Sequence, residues 1–125
     1  MIAQTIKVAP SNSLVLVSDS GGGSVPDPNR IAQDANVTAT DTCVVVCCMP
    51  EIDGETEITL GWGNAIDPGA SPVFDGSVAT PSRTVAIFDV EWKPLLKTTV
   101  TTAATRVRVW KNRPRFADEI IIGLD

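Results

Sequence analysis

Histidine and tyrosine are both absent from the 125 residues. The first absence removes the commonest general base, the Ser-His and Cys-His nucleophile pairs and every histidine-based metal site. No apolar run reaches 18 residues, so no segment is predicted to span a membrane. Residues 1–18 lack the basic start, apolar centre and small-residue cleavage pattern of a secretory leader, and the expectation is a cytoplasmic domain. Cysteine is scarce and confined to one stretch: Cys43, Cys47 and Cys48. An odd count in one short run is not a disulfide framework. In a strand, Cys43 and Cys47 lie roughly 13 Å apart, beyond the reach of a disulfide. With no second cysteine cluster, a zinc shell cannot be completed, and the thiols read as small buried hydrophobes.

What is present is an ordinary globular balance. Hydrophobic residues make up 43% and charged residues 20%, which argues against disorder, and the length suits one domain that can bury a core without staples. Short runs rich in Val, Ile and Thr are broken by Gly, Pro, Asn and Asp, the pattern of an all-β protein. The expected fold is a single-domain antiparallel β-sandwich of about seven or eight short strands over residues 1–125, with a small β-barrel as the alternative. Asp27 followed by Pro28 marks a helix start and predicts one short helix near 28–35. A flexible loop is expected at 19–27, where the glycines fit neither the P-loop nor the dinucleotide spacing. A second, longer loop is expected at 63–72. The sequon at Asn36 carries no meaning in a chain that is not secreted.

Between residues 43 and 62, Asp53-Gly54 separates two apolar runs and predicts a hairpin. The implied register pairs Met49 with Ile58, Cys47 with Leu60 and Val45 with Trp62. This places Trp62 in the core and Cys48 on the face opposite Cys43 and Cys47. A strand is expected over 83–92, and a second hairpin joins 95–102 to 105–110. In the latter, Val107 and Val109 point inward and Arg106 and Arg108 outward. The run Ile120-Ile121-Ile122 reads as a central strand near the end of the chain.

No constellation of catalytic residues stands out. Asp89 and Glu91 share a strand face roughly 6–7 Å apart, a separation compatible with glycoside hydrolysis. Asp53, Asp67 and Asp75 are loop carboxylates that a calcium ion would need gathered together. The plainer readings are a polar strand face and solvated turns. The threonines at 98–102 likewise fit β-propensity. The reading is therefore no catalytic residue, no metal site and no cofactor.

Charge is more informative. Residues 1–75 carry only Lys7 and Arg30 against ten acids, whereas residues 76–125 carry eight bases against five acids. Arg106, Arg108, Lys111, Arg113 and Arg115 cluster within ten residues and alternate with Trp110 and Phe116. Arginine and tryptophan are preferred protein-interface residues, and the net charge of −5 disfavours nucleic acid. These five basic residues are the candidate binding surface. The function expected is a non-catalytic binding or regulatory domain working through a protein–protein surface, inhibitor- or immunity-like by analogy. The rivals are a structural subunit of a homo-oligomer and a hydrolase using carboxylates or a cation.

Overall fold

A computed structural model describes residues 2–26 and 37–125. Ten strands are present among them: β1 (Gln4–Val8), β2 (Leu14–Asp19), β3 (Val37–Ala39), β4 (Cys43–Cys47), β5 (Thr56–Trp62), β6 (Phe74–Ala79), β7 (Thr84–Phe88), β8 (Pro94–Thr99), β9 (Ala104–Lys111) and β10 (Glu119–Leu124). They form two five-stranded sheets, ordered β1-β5-β10-β9-β6 (sheet A) and β3-β4-β2-β7-β8 (sheet B). The arrangement is the expected all-β sandwich and not a closed barrel, with more strands than the seven or eight anticipated. One pairing departs from the antiparallel expectation: β10 runs parallel to β5 while antiparallel to β9. The helix expected near 28–35 lies outside the described residues.

The core forms where the apolar alternation of the two sheets meets. Val15, Val17, Val44, Val46, Val85 and Ile87 of sheet B face Ile58, Leu60, Val107, Val109, Ile120 and Ile122 of sheet A, all of them fully buried. Each such side chain contributes roughly 1.5–3 kcal/mol by leaving water. The terminal strand sits in the middle of sheet A because both its neighbours supply partners along its length, from Glu119 opposite Glu57 to Leu124 opposite Trp62.

Both expected hairpins prove to be crossings between sheets. β4 pairs with β2 and β3, and β5 with β1 and β10, so none of the register pairs Met49–Ile58, Cys47–Leu60 or Val45–Trp62 exists. At Glu51–Asp53 the chain makes a single 3-10 turn, Asp53 donating its N–H to Pro50 O. Gly54 (φ 130, ψ −162) then sends the chain to the other sheet rather than folding it back. The alternation misled because β4 is apolar on both faces. Val44, Val46 and Cys48 join the central core, whereas Cys43 and Val45 pack outside sheet B with Leu16, Ala86 and Phe88. Likewise β8 belongs to sheet B and β9 to sheet A.

Three smaller expectations change. Trp62 is half-buried at the rim of the core rather than inside it. The strand expected over 83–92 stops at Phe88, where Asp89 Oδ1 accepts the N–H groups of Glu91 and Lys93 and closes a turn. Trp92 takes a left-handed φ of 60° in that turn and meets Phe88 edge-on, ring centroids 5.0 Å apart. The loop at 63–72 opens with one helical turn, α1 (Gly63–Ile66), laid on sheet A. Gly63 and Gly123 let it approach: a Cβ on Gly123 would stand 2.7 Å from Gly63 Cα.

Candidate functional site

The arginines of β9 arise from simple alternation. Val107 and Val109 point into the sandwich, fully buried, so Arg106 and Arg108 stand on the outer face of sheet A. There the structure gives each a carboxylate. Arg106 donates Nε and Nη2 to Asp75 at 2.8 and 2.6 Å, a bidentate fork across the β6–β9 pair. That contact holds the Asp75 carboxyl below its usual range and raises Arg106. Arg108 is 14% exposed; its Nη2 reaches Asp125 at 2.9 Å and its Nη1 reaches Asp67 at 3.4 Å. Its guanidinium also lies 5.1 Å from the Trp110 ring centre. Arg113 sits 3.5 Å from Asp118 and donates Nε to Phe116 O. Arg115 is exposed, and Lys111 is half-buried at the end of β9.

The five candidate residues therefore lie along β9 and the following loop, and three of them carry ion-paired partners. The carboxylates that meet Arg106 and Arg108 come from β6, from the loop after α1 and from the chain end, which sequence spacing alone does not bring together; Asp118, the partner of Arg113, lies five residues on in the same loop. The same pairing answers the calcium reading. Asp67 and Asp75 face arginines, and among the described residues no three His, Cys, Asp or Glu side chains gather as a metal site. Asp89, tied into its turn, does not form a carboxylate pair with Glu91 on a strand face.

Two other clusters lie outside the basic strip. Asp19, at the end of β2, is 4% exposed and fully engaged. Its Oδ1 accepts the Ser82 hydroxyl at 2.7 Å and the Ser82 N–H at 3.0 Å, and its Oδ2 accepts the Gly21 N–H at 2.8 Å. Burial works to raise its pKa, but the Ser82 hydroxyl and the two backbone donors outweigh burial and hold it low. The adjoining glycine run is stitched to the β3–β4 turn: Ser24 N–H donates to Thr42 Oγ1 and Thr40 Oγ1 donates to Ser24 O.

The second cluster is acidic. Lys7, Glu55, Glu57, Asp118 and Glu119 line an open depression of about 370 Å³ where β1, β5 and β10 meet. Glu57 stands directly across from Glu119 in the parallel β5–β10 pair and from Lys7 in β1. The signal for it was the density of acids at 51–57, visible in the sequence; the partnering of Glu57 with Glu119 was not.

None of the three cysteines forms a disulfide. Cys43 and Cys48 are buried on opposite faces of the sheet, as the alternation predicts, and burial pushes both thiols up to about 11. Cys47 is only half-buried. No helix among the described residues is long and apolar enough to cross a membrane.

No protein-family profile matches the chain, and no curated protein sequence does. Two solved structures share its fold. One is the crystal structure of ComJ, described as an inhibitor of the DNA degrading activity of NucA, from Bacillus subtilis. It superposes with a TM-score of 0.66 at 15% identity, covering 97% of this chain and 93% of that one. The other, described as Crocagin biosynthetic gene J, matches with a TM-score of 0.52 at 13% identity over 98% of both chains. At these identities the likeness establishes a common sandwich, end to end, in all three.

Proposed function

We propose that this chain is a non-catalytic binding protein that restrains a partner protein, in the manner of an inhibitor. The observation that carries this reading is the end-to-end fold likeness to ComJ, a protein described as acting on another protein's activity. Fold alone does not transmit function, so the reading also leans on chemistry. The absence of histidine removes the usual catalytic bases. The one carboxylate pair offered for hydrolysis is dismantled by the Asp89 turn.

The test is recovery of the tagged chain from its own cells, followed by reconstitution from two purified components. A stoichiometric complex in which the partner's activity falls in proportion to added chain supports the proposal. A chain that recovers no partner, or that turns over a substrate on its own, overturns it.

A further inference from the structure

We propose that the docking face is the acidic surface of residues 51–57 with the adjoining residues 116–119, and that its occupant is a lysine- and arginine-rich protein surface with an apolar recess for Ile52. This inference rests on the protein-binding reading above.

The argument starts from charge. On the basic strip, Arg106, Arg108 and Arg113 already have carboxylate partners within the chain, so much of that strip is neutralised. Among the described residues, no ion pair engages Glu51, Asp53, Glu55, Glu57 or Glu119. Among the described residues, Lys7 is the one cation lining the depression they adjoin. Glu57 and Glu119 are direct neighbours across two paired strands, about 4.8 Å apart in backbone. Like charges in that position destabilise a sheet. Lys7, across from Glu57 on the other side, offsets part of that repulsion, and a cationic partner would remove more of it.

The second strand of the argument is apolar. Ile52 is 91% exposed at the tip of the 3-10 turn, with Glu51 and Asp53 on either side. The neighbouring loop presents Phe116, 59% exposed, from a left-handed backbone of φ 55°. The two loops are fastened side by side: Met49 N–H donates to Ala117 O at 2.9 Å, and Glu57 N–H donates to Asp118 O at 2.8 Å. Single exposed apolar residues are common on monomers. Among the described residues, two of the five large exposed apolar ones flank this run of acids, the arrangement of an apolar anchor inside a charged rim. Charge complementarity then selects the occupant: an acidic rim repels nucleic acid and favours a protein surface of the kind that binds polyanions.

The test has two arms, both using the full chain. In the first, isotope-labelled protein is titrated with an arginine-rich peptide bearing central leucines. Amide shifts should concentrate at 51–57 and 116–119. Affinity should fall at least tenfold in the Glu55→Lys/Glu57→Lys variant and several-fold in Ile52→Ser, with cooperative urea unfolding retained in both; Ile52 and Glu55 are exposed and Glu57 is half-buried. Shifts centred elsewhere, or affinities unaltered by the variants, overturn the proposal. In the second arm the same variants enter the reconstituted complex. Loss of binding, mainly through a slower and less salt-sensitive on-rate for the charge variant, supports the surface. A partner held equally by both variants overturns the docking face and leaves the inhibitor reading standing. Failure of the unaltered chain to bind any partner overturns the inhibitor reading, while the peptide arm still decides the surface. Self-association by light scattering that the charge reversal abolishes overturns the foreign partner in favour of a second copy.

Discussion

Replacing Asp19 measures how tightly one end of sheet B is tied. Its carboxylate bridges the turn after β2 to the residues that lead into β7, through the Gly21 N–H and both the N–H and hydroxyl of Ser82. A hydrogen bond to a charged group contributes about 1.5–3 kcal/mol. Three such bonds do not sum, because Gly21 and Ser82 are exposed and water takes over part of their bonding in the variant. Asp19→Ala is therefore expected to cost about 2–3 kcal/mol out of a domain total of about 5–15. Asp19→Asn keeps one acceptor but sets an amide N–H₂ against a backbone donor, and about half that loss is expected. The assay is urea unfolding followed by tryptophan fluorescence, with the midpoint falling and the slope unchanged. The pH dependence adds a sharper check. Because the folded pKa is lowered, the stabilisation is fully present above the unfolded value of about 3.9 and is lost as pH falls through the folded one. The gap between the native chain and Asp19→Asn should hold constant from neutral pH to about pH 5 and close below pH 4. A gap that persists unchanged to pH 2, or an alanine variant as stable as the parent, would refute the reasoning.

Leu60→Ala should cost about 2–5 kcal/mol and Trp62→Ala less, since Leu60 is fully buried between the sheets and Trp62 lies at their rim; equal or reversed losses in thermal unfolding would place Trp62 in the core. In native protein at pH 8, Cys47 should react first with a thiol reagent. Burial lifts Cys43 and Cys48 to about 11 and leaves only about one part in a thousand as thiolate, so their rapid labelling would contradict the assigned faces. Gly123→Ala drives a Cβ against the Gly63 backbone and to 2.9 Å from the Trp110 ring, and should cost about 1–3 kcal/mol with a shift in tryptophan emission; unchanged stability and emission would mean α1 does not rest on the sheet.

Much of the fold was legible because it follows from short-range rules. The alternation of Val107 and Val109 with Arg106 and Arg108 requires only that one strand face meet a core, and the structure buries the two valines fully. The apolar run at 120–122 demanded cover on both faces, and it became the centre of sheet A. The lack of histidine excluded whole classes of chemistry without any structure. The density of acids at 51–57 was equally plain in the sequence.

The sequence could not say which strands are neighbours. Pairing is set by contacts between residues far apart in the chain, and the local signals at Asp53-Gly54 and at 103–104 fit a crossing between sheets as well as a hairpin. Where β4 is apolar on both faces, alternation loses its power to fix register, because every shift buries an apolar side chain. The partners of the arginines had the same fate. Asp75, Asp67 and Asp125 reach Arg106 and Arg108 from three separate parts of the chain. Composition and alternation act within a few residues and so are written in the sequence; pairing of strands and charges acts across tens of residues, and only the packed sandwich decides it.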